Sequence, residues 1–180
     1  AGAVFRIEKL RWFNRQYLLK VPEEDFMNTL FPLMKVTLSE RGVAWDETRA
    51  RQIVSLVRER ISVYDDVNVL IRDGELDFFF ANPSLEVTKI PEKKSNAVEA
   101  KLHLTHVLTT LETLPADEFN AERLKESIWD YATEKGKGAV LWPLRYCLSG
   151  RDKSPDPFSI ASLVGKETTL ERIRAALALL

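Results

Sequence analysis

The sequence predicts a mainly helical fold. Apolar residues recur every three or four positions in nearly every segment, glycine is scarce at 7 of 180 residues, and period-2 alternation of β-branched residues is almost absent. At this length the chain can form one large domain or two small ones, each burying a core without covalent staples. Hydrophobic residues make up 45% and charged residues 29%, which is globular composition rather than the pattern of disorder.

The first helix is expected over Ile7 to Lys20, with Leu10, Phe13, Tyr17 and Leu18 on its buried side, stopping before Pro22. Glu23 to Met34 restarts the pattern. Asp46 suits an N-cap for a helix bearing Ala50, Ile53, Val54, Val57 and Ile61 on one face, with Arg49, Arg51, Arg58 and Arg60 around the rest. Val67 to Phe80 is apolar but interrupted at Asp73-Gly74, so two short helical pieces with a bend are expected.

Between Asn82 and Lys94 the helical period disappears and two prolines and a lysine pair intervene. The subdomain boundary is placed there, giving an N-terminal helical subdomain at 1–90 and a C-terminal one at 91–180. Ser95 or Asn96 then caps a long helix to about Leu114, and Asn120 caps the next, which carries Leu124, Ile128 and Tyr131 and ends at Lys135-Gly-Lys-Gly138. Pro143 suits the first turn of a further helix, which runs to a C-cap at Ser149-Gly150. A proline-punctuated loop, DKSPDP, follows, and Leu170, Ile173, Leu177 and Leu180 form a narrow stripe on the last helix.

Several function classes are disfavoured. The single cysteine, Cys147, excludes an internal disulfide, and with only His103 and His106 beside it no metal-ligand spacing exists. The two histidines read as surface or partly packed side chains. Phosphate-cradling glycine loops and nucleophile elbows are missing. The acidic runs Asp65-Asp66 and Glu23-Glu24-Asp25 read as first-turn acids that complement helix dipoles, because adjacent helical residues point apart. No apolar run approaches the roughly 18 residues of a membrane span, and the leading AGAVFRIEKLRW shows neither signal pattern nor anchor. A soluble, cytoplasmic protein without a membrane partner is expected. The formal net charge of −1 leaves any basic surface to local arrangement.

The stretch from Trp142 to Glu167 carries more than packing requires. With Pro143 opening a helix, Arg145 falls in its first turn, where free backbone amides favour anions. The following loop, stiffened by Pro155 and Pro157, brings Ser154 and Phe158 close and adds Arg151 and Lys153. A donor-rich groove with an aromatic ring suits single-stranded RNA, whose backbone needs neutralising and whose bases stack or are read on their edges.

In order, Pro143-Leu-Arg145, Ser149-Gly150, Pro155, Phe158, then Val164-Gly-Lys-Glu167, Leu170, Arg172 and Ile173 resemble the C-terminal anticodon-binding region of bacterial-type glutamyl-tRNA synthetases. Lys9-Leu-Arg-Trp12-Phe-Asn14-Arg-Gln-Tyr17 resembles that family's segment leading from the catalytic part into the helical part. The resemblance covers the whole chain in order, although Ala81 to Asn120 contributes little.

The resemblance implies an all-α fold in two helical subdomains forming an anticodon-binding helical cage, which reads the anticodon loop of tRNA-Glu. It places Arg60 against the third anticodon base and Arg145, Ser154, Pro155, Pro157 and Phe158 around the others, with Pro157 departing from the family's usual apolar residue. Trp12 is expected chiefly as a junction core residue, with an RNA contact as the other reading. Trp45, Trp129 and Trp142 are taken as packing, and Lys166 and Arg172 as either phosphate contacts or part of a solvated face.

Elementary chemistry agrees about Arg60. Glutamate anticodons end in C and glutamine anticodons in G, and a donor-only guanidinium satisfies the O2 and N3 acceptors of cytosine but confronts the N1 and N2 donors of guanine. The family's HIGH-like and KMSKS-like motifs do not occur here. The chain is therefore expected to be the C-terminal part of a glutamate–tRNA ligase, inactive alone, with ATP, magnesium and glutamate on an N-terminal catalytic domain that is its second partner. The fragment itself should need no cofactor. Two rivals stand: an all-helical protein-interaction module with no RNA role, and the anticodon domain of a non-discriminating enzyme for glutamate and glutamine tRNAs.

Overall fold

The computed structural model describes residues 6–180, and the expected absence of a leader sequence lies partly outside them, at residues 1–5. Among the described residues there are eleven α-helices, two short 3-10 turns and no strand, as the apolar spacing predicts. The chain forms two compact units, the first ending at Ala81 and the second spanning Asn82–Leu180.

In the first unit, α1 spans Ile7–Leu18, α2 Glu23–Glu40, α3 Glu47–Gln52, α4 Val54–Arg60, α5 Asp66–Arg72 and α6 Asp77–Phe80. Only Leu18 of α1 is buried; Leu10 and Phe13 are exposed and Tyr17 is 73% exposed. The expected buried side of α1 is thus open. Periodicity reports which residues share a helix face, not whether another element covers it. What fixes α1 is polar: Arg11 Nη2 donates to both oxygens of Asp66, at 2.9 and 2.8 Å. Burial pushes the Asp66 carboxyl up, but Arg11 and the amides of Ser62 and Val63 together hold it below the usual range.

Helix α2 runs past Met34 to Glu40 because its apolar stripe continues from Phe26, Leu30 and Met34 to Leu38. Pro32 is tolerated inside it on the exposed side, where water can serve the carbonyl of Asn28 that loses its N–H partner. Thr37 Oγ1 donates to Asn68 Oδ1 at 2.6 Å, and Asn68 Nδ2 to Asp65 at 2.7 Å, which satisfies the polar groups buried between α2 and α5. Asp46 caps α3 by accepting from the amide of Arg49 at 3.0 Å. Ala50, Ile53, Val54, Val57 and Ile61 are all buried, but the helix breaks at Ile53 into α3 and α4. Gly74, at φ 69°, makes the bend between α5 and α6.

In the second unit, α7 spans Ala97–Thr113, α8 Ala121–Lys135, α9 Lys137–Ser149, α10 Pro157–Val164 and α11 Lys166–Leu179. Residues 82–90, which the sequence assigns to the first subdomain, pack with this unit: the indole of Trp142 donates to Lys89 O at 3.0 Å, Tyr146 Oη accepts from the Glu86 amide at 3.3 Å, and Arg172 Nε donates to Asn82 Oδ1 at 3.1 Å. Asn96 and Asn120 cap α7 and α8 by accepting from Glu99 N and Arg123 N.

Two details differ from expectation. Pro143 lies in the middle of α9 rather than its first turn. Gly136, at φ 101°, turns the chain, and the stripe Val140, Leu144, Cys147 and Leu148 runs straight through the proline and is buried. Burial of four apolar side chains at ~1.5–3 kcal/mol each outweighs the ~3 kcal/mol proline penalty. The second half of DKSPDP opens a helix of its own, α10: Asp156 accepts from the amides of Phe158 and Ser159 at 3.0 Å, and Pro157 takes the first helical position.

Candidate nucleic-acid interface

The site in the second unit is built where α9 ends. Gly150 leaves the helix in the left-handed region at φ 64°, and its amide donates to Tyr146 O at 2.7 Å. A Cβ there would lie 2.8 Å from Pro83 Cβ and 2.9 Å from Ser84 O, so only glycine lets the chain pass so close. The loop of residues 151–156 then folds back over the last two turns of α9.

Arg145 organises this loop. Its Nη2 donates to Asp152 O at 3.0 Å and its Nη1 makes a long contact of 3.5 Å with Ser154 Oγ. The guanidinium stacks over the Trp142 ring, 4.8 Å from the centroid. With Pro143 inside α9, Arg145 sits in the helix's second half, so the expected anion site at a positive helix terminus does not arise. Its charge is instead held over the Trp142 indole by the bond to Asp152 O.

Arg145, Ser154 and Pro155 come together as half-buried residues at this corner. Pro157 and Phe158 do not join them at the surface. Phe158 is only 6% exposed and packs inward with α10, so its ring is structural and is not offered for stacking. The aromatic ring beside Arg145 is Trp142, half-buried and packed as expected, with its indole donating to Lys89 O and stacked on Tyr146. The signal for it was present: Trp142 and Arg145 are three residues apart on a helix, the spacing that stacks side chains. Beside them opens a groove of about 690 Å³ lined by Lys89, Lys93, Trp142, Asp152 and Lys153 among others.

In the first unit, Arg60 is the last residue of α4 and forms an ion pair with Glu75 through Nη2. Trp12 is 56% exposed and stacks edge-on against Phe13 at 5.1 Å, so it is not a core residue in this chain.

Lys166 and Arg172 both hold helix ends. Lys166 Nζ donates to Glu112 O at 2.8 Å and Leu114 O at 2.6 Å at the end of α7. Arg172 is 5% exposed and donates from Nη1 to Leu148 O at 2.6 Å. Arg172 is thus buried away from any solvated face, whereas Lys166 is half-buried. Among the described residues no cluster could hold a metal ion. His103 Nδ1 lies 2.9 Å from Tyr131 Oη, and His106 stacks on the same tyrosine at 3.6 Å. The Cys147 thiol is buried and pushed up in pKa by desolvation, which leaves it inert.

A family model described as an anticodon binding domain matches residues 10–177. A glutamate–tRNA ligase of Phocaeicola vulgatus is 32% identical over 184 residues, covering 100% of this chain and 34% of that protein. One from Thermodesulfovibrio yellowstonii is 32% identical over 179 residues, covering 97% and 36%. The crystal structure of a glutamate tRNA ligase from Elizabethkingia meningosepticum superposes with a TM-score of 0.69 at 34% identity, over 99% of this chain and 33% of that one. The chain thus spans about a third of the length of the relatives it matches. With a matching fold and a family model running through nearly all its residues, the chain belongs to the anticodon binding domain family.

Proposed function

We propose that this chain is the anticodon-reading part of a glutamate–tRNA ligase and selects tRNA-Glu through its anticodon loop. The observation that carries the reading is Arg145, stacked on Trp142 and tied to the Asp152 carbonyl beside Ser154 and Pro155. A cation fixed on an aromatic face, next to hydroxyl and carbonyl groups, matches what an unpaired nucleotide presents: a phosphate to neutralise, a base plane to stack and a polar edge to read. Arg145, Ser154 and Pro155 would contact RNA, while Pro157 and Phe158 support the loop from below. Trp12 remains available to the body of the RNA as an exposed ring.

Arg60 is assigned to the third anticodon base. Its guanidinium has five N–H donors, of which Glu75 engages Nη2, so donors remain for the O2 and N3 acceptors of cytosine. Guanine would meet donor with donor. The catalytic partner supplies glutamate activation with ATP and magnesium, and this chain supplies choice of tRNA in the cytoplasm.

Titration of the chain with hairpin RNAs whose loops carry a glutamate anticodon tests the proposal, at two salt concentrations. Binding should weaken with salt as phosphate contacts are screened, and a loop ending in C should bind better than one ending in G. Equal affinity for the two loops would overturn the discriminating reading, and no binding at all would leave a protein-interaction module.

A further inference from the structure

Arg60 does not stand alone. It ends α4, and the next residue, Ile61, is fully buried, so the backbone that carries the guanidinium is pinned. Opposite it, Glu75 follows the C-terminal turn of α5. There the Gly74 amide donates to Ile71 O and the Glu75 amide to Leu70 O, both at 2.9 Å, and Leu76 after it is fully buried. That pair of bonds around a left-handed glycine fixes the chain direction at Glu75. Two side chains on rigid stems therefore meet, Arg60 Nη2 on Glu75 Oε2, each with 32% of its surface exposed.

An arginine at a helix end carries much rotamer freedom, which costs affinity and blurs selectivity when a ligand must arrest it. A carboxylate that holds one edge of the fork leaves the other edge aimed in one direction before RNA arrives. We infer that Glu75 is a positioning residue for the discrimination of the third anticodon base, acting through Arg60; the inference rests on the assignment of Arg60 to that base. Glu75 need not touch the RNA.

The test measures affinities of the full chain and its variants Glu75→Gln, Arg60→Gln and the double variant for two hairpin RNAs, with loops ending in C or G. Thermal midpoints are recorded in parallel. The native chain should prefer C by about tenfold. Arg60→Gln should bring the ratio near one, and Glu75→Gln should lower it by about threefold or more while Arg60 is still present. In the Arg60→Gln background, Glu75→Gln should change the ratio no further. Glu75→Asp, which keeps the charge on a shorter arm, should also lower the ratio, and serves if the glutamine variant folds poorly.

If Arg60→Gln abolishes the preference while both Glu75 variants keep it, Glu75 has no positioning role and only the Arg60 assignment survives. A fall in affinity for both hairpins by the same factor would likewise overturn the inference, since that is what a structural defect produces. If Arg60→Gln leaves the ratio unchanged, the underlying assignment fails, and that outcome is distinct from the other two.

Discussion

Arg172 Nη1 donates to Leu148 O at 2.6 Å, so a buried arginine of α11 closes the C-terminal end of α9. The last carbonyls of a helix lack intrahelical partners and carry the negative end of its dipole, which a cation satisfies on both counts. The same guanidinium holds Asn82 through Nε, so one side chain joins the second unit's first residue, its middle helix and its last helix. Replacement by methionine keeps the length of the arm but leaves Leu148 O and Asn82 without their donor. Arg172→Met should cost about 3 kcal/mol of stability, read as a lower urea midpoint of helical circular dichroism. A change under ~0.5 kcal/mol would be the value of an ordinary surface site.

Lys166 does for α7 what Arg172 does for α9, but at a more accessible position. Its Nζ donates to Glu112 O and Leu114 O. Lys166→Met should lower stability by about 1 kcal/mol and leave the affinity for an anticodon hairpin unchanged. A selective loss of RNA binding with an unaltered urea midpoint would instead make Lys166 a phosphate contact.

Gly150 tests how the loop of residues 151–156 is launched. At φ 64°, with Pro83 and Ser84 within 3 Å of where a Cβ would stand, alanine meets both backbone strain and collision. Gly150→Ala should destabilise the second unit by about 2–4 kcal/mol. Gly42→Ala provides the comparison: it has a similar φ of 70° but nothing within 4 Å, so it should cost only about 1 kcal/mol.

His103 gives the pH dependence its sign. Desolvation lowers its pKa below the ordinary imidazole value of 6.5, opposed by Glu99 and helped by Lys135 and His106. The unfolded chain then binds the proton more readily than the folded one. The contribution is fully present above pH 6.5 and is lost as the pH falls below that value towards the lowered folded pKa. Stability measured at pH about 5.5 should be lower than at about 8, and His103→Asn should remove part of that difference. A native chain whose urea midpoint is flat across that range would contradict the burial of a neutral imidazole against Tyr131.

Helix existence was legible because caps and periodicity are local: Asp46, Asn96 and Asn120 each sit where an Asx residue precedes an apolar repeat. The start of α9 was not, since Pro143 is a good first-turn residue and nothing local says that a stripe already begins at Val140. The open face of α1 was hidden for the same reason, because a pattern of apolar residues does not name its cover. At the end of α9, the run of residues was readable as a motif but the packing of each side chain was not. Whether Phe158 or Trp142 faces solvent depends on how α10 packs, and whether Lys166 and Arg172 meet phosphate or carbonyl depends on helix ends 52 and 24 residues away.

Arg145 separates recognition from support most cleanly, because its side chain meets one loop and one ring. Arg145→Ala removes the charge, the platform over Trp142 and the bond to Asp152 O, yet leaves the buried stripe of α9 untouched. Affinity for C-ending and G-ending hairpins should fall together, by about tenfold, with little change in thermal midpoint. The slope of log affinity against log salt should decrease by about one if the guanidinium meets a phosphate. Arg145→Lys separates the two contributions: an ammonium retains the charge and the salt slope, but lacks the planar fork that sits over the indole and reaches Asp152 at the same time. It should recover the salt dependence without recovering the full affinity. Full recovery by lysine would mean that charge alone matters, and that the stacking on Trp142 is incidental to RNA binding.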